Sequence, residues 1–162
     1  MAGAAAKSCQ RRRGLSPAKG RRGYQLLYRK INFKKFTDGR GDLVPLEMGR
    51  DRDIPFDVKR CYFISNPTND GIRGRHAHRS LEQVIVCLNG SFTLSLDDGK
   101  GGREDIVLDR DDFGIHIKDL VWRELKGFSE KCVILVLADS HYHAGDYIHD
   151  YNEFLKAVKG ES

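Results

Sequence analysis

The sequence predicts an all-β fold, a sandwich or closed barrel of which the jelly roll is one version. Three observations carry that expectation. Short apolar and β-branched runs recur along the chain, turn signals separate them at near-even spacing, and helical periodicity occurs clearly only at the far end. A chain of 162 residues, 40% hydrophobic, suits one domain with an adequate core.

Taken in order, strands are expected at 31–36, 43–47, 59–65, 83–88, 91–96, 104–108, 113–117, 121–125 and 132–138. Between them lie Asp38-Gly39, Asn66-Pro67, Asn69-Asp70-Gly71, Asn89-Gly90, Asp97-Asp98-Gly99 and Asp111-Asp112, all turn-forming combinations. Asn89-Gly90 between two alternating runs reads as a hairpin. Asp150 can cap a terminal helix in which Tyr151, Phe154, Leu155 and Val158 form an apolar stripe ahead of Gly160. No repeat and no second-domain linker occurs, so 24–160 is expected to be a single domain.

The net charge of +5 is unevenly placed. Residues 1–23 hold Lys7, Arg11, Arg12, Arg13, Lys19, Arg21 and Arg22 without an acid, and the remainder is mildly acidic. The basic segment lacks an apolar period and reads foremost as a disordered tail or over-long start. A polyanion-binding arm and an organellar transit peptide are the competing readings. With no aromatic residue interleaved before Tyr24 and no apolar run near the ~20 residues that span a bilayer, neither nucleic acid nor membrane is an expected partner. Cys9, Cys61, Cys87 and Cys132 form no C-x-x-C pair, and without a secretion signal they are expected to be reduced thiols of a cytoplasmic protein.

The chemistry concentrates in Arg73-Gly-Arg-His-Ala-His78, followed by Leu81-Glu-Gln83 and closing at Gly90. Histidines two apart on an extended segment share one face, and imidazole alone titrates near neutrality, so the pair suggests proton transfer or metal binding. The spacing resembles the first motif of the cupin superfamily, whose metal-bearing members place a glutamate at the position of Gln83 and a later histidine near Arg123. An amide is a poor ligand and a guanidinium disfavours a nearby cation. Glu82 or Glu124 could contribute instead, but the residues favour acid–base histidines without a metal.

A narrower resemblance covers roughly 30 to 158. It rests on Ile31-Asn-Phe-Lys-Lys-Phe-Thr-Asp-Gly-Arg-Gly-Asp-Leu43, Val58-Lys-Arg-Cys-Tyr-Phe-Ile64, the His76/His78 motif, Leu81-Glu-Gln-Val-Ile-Val-Cys-Leu-Asn-Gly90, Val121-Trp-Arg-Glu-Leu125, Cys132-Val-Ile-Leu-Val-Leu-Ala138 and Asp146-Tyr-Ile148. In that order the segments resemble the sugar 3,4-ketoisomerases. These act on dTDP-4-keto-6-deoxyglucose on the way to 3-amino-3,6-dideoxyhexoses of surface polysaccharides and some antibiotics. The resemblance implies a cupin-type jelly-roll barrel, a homodimer, a dTDP-linked 4-keto-6-deoxy sugar as substrate, and no metal or other cofactor.

Moving a carbonyl from C4 to C3 through an enediol needs a base of near-neutral pKa, a proton carrier for the oxygens and donors for the enediolate. His76 is the expected carbon base and His78 the second carrier or orienter, while the resemblance makes the Tyr62 phenol a donor to a sugar oxygen. Arg40 and Arg73 are expected at the diphosphate or sugar, because a planar guanidinium matches phosphate oxygens. Arg123, adjacent to Trp122 on one strand, is expected inward with Trp122 in the core. Gln83 is expected to bind substrate, its plainer readings being a backbone hydrogen bond or a hold on a histidine tautomer. Each has a plainer reading: a core Tyr62, a solvated Arg40 or Arg73, a Gln83 that bonds backbone. The competing functions are a nucleotide-sugar 3,5-epimerase, a non-catalytic sugar- or nucleotide-binding cupin, and a metal-dependent cupin enzyme.

Overall fold

The computed structural model describes residues 27–161. The expectation for 1–23 lies outside them. Among the described residues twelve strands are followed by one α-helix, with a 3-10 turn at Ala144–Asp146 before the last strand, in the order β1 Arg29–Asn32, β2 Phe36–Asp38, β3 Gly41–Leu43, β4 Arg60–Ser65, β5 Arg73–His78, β6 Gln83–Asn89, β7 Phe92–Asp97, β8 Arg103–Leu108, β9 Phe113–Ile117, β10 Trp122–Lys126, β11 Val133–Ala138, β12 Tyr147–Ile148 and α1 Tyr151–Lys159. They form two five-stranded sheets, ordered β1-β9-β6-β11-β4 and β12-β5-β10-β7-β8, with β2-β3 as a separate hairpin. All strand pairs in the sheets are antiparallel. The expected jelly roll is present as two facing sheets, which are not hydrogen-bonded into a closed cylinder among the described residues.

Side-chain alternation explains three apolar layers. Along β6, Ile85 and Cys87 enter the core between the sheets with Leu94, Ile115 and Ile134. Val84 and Val86 point the other way, against Ile31, Phe33 and Ile54. Buried on both faces, β6 therefore reads as a continuous apolar run instead of an alternating one. On the second sheet the outward Trp122 and Ala77 are covered by Phe154 of α1 and by Ile148. Asp150 accepts the Glu153 N–H at 2.8 Å, and Gly160 closes the helix in the left-handed conformation (φ 74°), as the sequence predicts.

Two expected strands are corrected. The run 31–36 breaks after Asn32, where β9 begins opposite at Phe113, and only one further backbone bond, from the Phe33 N–H to the Asp112 carbonyl at 2.8 Å, extends the pairing. The run 43–47 is mostly loop: Val44 and Leu46 pack with Ile54, Phe56 and Val58 over the outer face of β6. Their hydrophobicity reflects that cover and not a sheet.

Candidate active site

A cavity of about 380 Å³ opens between the sheets, lined by Tyr62, Arg73, His76, Gln83 and Arg123 among others. Arg73 and His76 are three apart on β5, a spacing that regular alternation would turn to opposite faces. A bulge resolves this. The β5–β10 register pairs His76 with Arg123 but Gly74 with Glu124, so Arg75 (φ 52°) is the extra residue. Arg75 then lies outside, 3.7 Å from Glu124. Gly74 has φ 82°, and a Cβ there would lie 2.8 Å from the Arg123 carbonyl oxygen, so the bulge requires glycine.

His78 is completely buried. Its Nε2 lies 3.1 Å from Nε2 of His76, and its Nδ1 lies 2.7 Å from Oδ2 of Asp146. Asp146 is held in turn by the Ser80 N–H at 2.9 Å and the Ser80 hydroxyl at 3.0 Å, both donating to Oδ1. The short strand β12 pairs Tyr147 with His78 and Ile148 with Ala77, which delivers Asp146 to the far side of the imidazole. An ionised Asp146 fixes the hydrogen of neutral His78 on Nδ1 and leaves its Nε2 as an acceptor facing His76.

Electrostatics keep this pair neutral. Burial lowers the His76 pKa from 6.5 to about 4, helped by the Arg123 charge and opposed by the Gly74 carbonyl. His78 is lowered by burial, then by Arg123 and His76, against the pull of Asp146. Burial alone would raise the Asp146 carboxyl, but the hydrogen bonds from His78 and Ser80 outweigh it and hold the pKa below the usual range.

Opposite the histidines, Arg123 is 1% exposed. It donates to Gln83 Oε1 at 2.5 Å and to the carbonyls of Val121 (3.1 Å) and Lys118 (3.3 Å). Burial lowers its pKa to about 10, so the guanidinium stays charged at neutral pH. Gln83 Nε2 donates to the Tyr62 hydroxyl at 3.1 Å, which leaves the phenolic hydrogen free to donate into the cavity. Burial, reinforced by Tyr147, raises the Tyr62 pKa and keeps it a phenol. A neutral base, a phenolic donor and a fixed cation thus converge on one space.

The donor set does not fit a metal. The two imidazoles face one another through Nε2, and a permanent cation fills the position opposite. Glu82 turns away to His116 (2.8 Å) and Lys118 (3.5 Å), and Glu124 faces Trp122 and Arg75 on the outer face, so neither acid joins the cavity.

Of the residues expected from sequence, Tyr62, Arg73, His76, Gln83 and Arg123 line the cavity, and His78 stands behind His76. Arg40 does not reach it. Its side chain is 91% exposed on the β2–β3 turn, bonded to Asp38 at 2.5 Å, so within one chain it lines only a groove of its own hairpin. Sequence reasoning gave no role to Asp146, Tyr147 or Arg60. Asp146 is 68 residues from His78, and a two-residue strand offers no periodicity by which to join them.

A protein-family model described as "FdtA: WxcM-like, C-terminal" matches residues 27–159. The chain is 46% identical over 128 residues to a TDP-4-oxo-6-deoxy-alpha-D-glucose-3,4-oxoisomerase of Aneurinibacillus thermoaerophilus, covering 79% of this chain and 90% of that protein. Among solved structures it resembles a variant of the 3,4-ketoisomerase QdtA of Thermoanaerobacterium thermosaccharolyticum in complex with TDP-4-keto-6-deoxyglucose. That match has a TM-score of 0.80 and 39% identity, over 85% of this chain and 97% of the other. A 3,4-ketoisomerase of Helicobacter canadensis matches with a TM-score of 0.77 and 41% identity, over 82% of this chain and 97% of the other. The shared fold and the matched length agree, and the chain belongs to the FdtA family of sugar 3,4-ketoisomerases.

Proposed function

We propose that this protein converts dTDP-4-keto-6-deoxyglucose to a dTDP-3-keto-6-deoxyhexose, without a metal or other cofactor. The observation that carries the reading is a neutral His76 lining the cavity, backed by His78 and Asp146 and faced by the Tyr62 phenol. His76 takes the proton from C3, which the adjacent C4 ketone acidifies. The C–H electrons form the C3–C4 double bond, and the C4 carbonyl oxygen takes a proton from Tyr62. In the second half the Tyr62 oxygen recovers a proton from the C3 hydroxyl, the C3 carbonyl forms, and protonated His76 returns its proton to C4. The neutral base and the phenol are both regenerated and the product is an isomer of the substrate, so the step balances without a redox partner.

The remaining groups support those two. Imidazolium at His76 is stabilised through His78 by the Asp146 carboxylate, an arrangement that holds one tautomer and one orientation. Arg123 acts through Gln83 on the Tyr62 oxygen, favouring the negative charge that develops there. His78 is the orienter and proton carrier, not the group at the carbon. Arg73, on the cavity wall, binds substrate.

We further infer a single domain over 24–160, a cytoplasmic protein and a homodimer, the last resting on the resemblance to the sugar 3,4-ketoisomerases. No helix among the described residues is long and apolar enough to cross a membrane. The test is product analysis of the purified protein with dTDP-4-keto-6-deoxyglucose and a 3-aminotransferase. A 3-amino sugar supports the isomerase; inversion at C3 and C5 with the ketone left at C4 would make the protein an epimerase, and recovery of unchanged substrate a binding module.

A further inference from the structure

Strand β12 is two residues long, so its two side chains leave by opposite faces. Ile148 packs outward with Trp122 and Phe154. Tyr147 therefore turns inward, and because it pairs with His78 across the ladder, their side chains share a face. The centroid of its ring lies 4.3 Å from that of His78 and 5.0 Å from that of His76. One ring thus covers both imidazoles.

Beyond Tyr147 the surroundings change. The ring lines the active-site cavity and also a second cavity of about 300 Å³, bordered by Ser80, His141, His143 and Asp146. His149 stacks on it at 5.6 Å with the planes 15° apart, and Tyr142 leans on it at 5.5 Å. Tyr142, His143 and His149 are exposed, whereas His78 is completely buried. Tyr147 is the partition between a dry imidazole pair and a solvent-facing cavity. A proton held on an imidazole keeps its identity only while water is excluded from it.

We propose that Tyr147 is a positioning residue whose ring bars water from the His76–His78 pair, so that part of the hydrogen taken from C3 is carried by His76 to C4 before solvent replaces it. The proposal rests on the isomerase reading above. With the hexose seated in the first cavity, His76 is covered on that side, and the wall toward the second cavity governs exchange of the imidazolium with water. An apolar ring suffices for this, and the hydroxyl is not required. The step adds no reactant: His76 takes the deuteron or proton from C3, the C–H electrons enter the C3–C4 double bond, and the same nucleus bonds to C4.

The test starts from dTDP-4-keto-6-deoxyglucose deuterated at C3, turned over in ordinary water, with deuterium at C4 of the early product read by NMR. The native protein should place a measurable share of the deuterium at C4. Tyr147→Phe should keep that share, and Tyr147→Ala should lower it about 10-fold. Tyr147→Leu, which restores part of the cover, should fall between them and serves should the Ala variant not fold. A merely structural role would not move the share, because it counts only product already formed. An unchanged share in the Ala or Leu variant would overturn the proposal, as would a Phe variant that loses as much as Ala, or a native protein that transfers none. A second readout needs no substrate. The hydrogen on His78 Nδ1 should give an imidazole N–H resonance protected from water in the native and Phe proteins and lost to exchange in the Ala variant. A native protein that leaves the substrate unchanged would defeat the isomerase reading; the His78 resonance then decides the wall by itself, equal exchange in all three proteins overturning it.

Discussion

Nδ1 of His78 stands 2.7 Å from Oδ2 of Asp146, while its Nε2 faces His76 at 3.1 Å, so a fully buried imidazole connects a carboxylate to the histidine on the cavity wall. The arrangement gives Asp146 a role at a distance. It sets which nitrogen of His78 carries hydrogen, and therefore which protonation state His76 can reach. Asp146→Asn preserves size but offers an amide that can equally donate, and the tautomer is no longer fixed. Turnover should fall by about 10²-fold while KM changes little, since Asp146 does not line the hexose cavity. Loss expressed mainly in KM would instead make Asp146 a substrate-binding residue.

Acidification should act on activity later than an ordinary histidine would allow. The base must be neutral, and burial lowers the His76 pKa to about 4. The acid limb of kcat/KM should therefore lie well below pH 6, with activity retained at pH 6 and lost as the pH falls through about 4 to 5. A limb centred at 6.5 would show that His76 is solvated in the free enzyme.

Stability follows the same groups with a definite sign. Unfolded histidine binds its proton near pH 6.5, whereas the depressed folded values of His76 and His78 delay binding. Between those limits the unfolded state holds more protons, so folding stability is present above about pH 7 and declines as the pH falls toward 4. The loss should be on the order of 1–3 kcal/mol before carboxylates titrate. Urea midpoints at pH 7.5, 6 and 5 measure it, and a flat series would contradict the burial argument.

Gly74→Ala should damage both fold and site. A Cβ at Gly74 would meet the Arg123 carbonyl at 2.8 Å in a conformation that only glycine adopts readily, so the bulge must shift. A cost of about 1–3 kcal/mol is expected, together with at least a ~10-fold loss of turnover, because Arg73 and His76 would no longer share the cavity. Native melting temperature and native turnover together would show that the bulge is not what aligns them.

How much of this the sequence carries depends on the range of the contacts. The histidine pair is legible because local strand alternation puts both imidazoles on one face, whereas Tyr62 and Gln83 are singled out by the resemblance to known motifs. Arg123 is legible because only one of two adjacent side chains can enter the core, and Trp122 is the one covered by α1. What escapes is set by tertiary contact. Val44 and Leu46 look like strand residues but serve as a lid on β6, and Arg40 is neutralised by its own turn partner Asp38. Asp146 and Tyr147 acquire meaning only when β12 brings them beside residues distant in the chain.

Chelation separates acid–base from metal chemistry. With Arg123 inside the cavity and the acids Glu82 and Glu124 turned away, turnover should be unchanged after exhaustive dialysis against a chelator. Activity that disappears and returns with zinc, iron or manganese would reject the scheme.

The central claim is that His76 moves the carbon-bound proton, and His76→Asn tests it most directly. The variant should remain folded and bind dTDP with native affinity. In deuterium oxide its turnover of dTDP-4-keto-6-deoxyglucose and its exchange of the C3 hydrogen should both fall at least ~10²-fold. Exchange and turnover near native levels would contradict the claim and transfer the role to another group in the cavity.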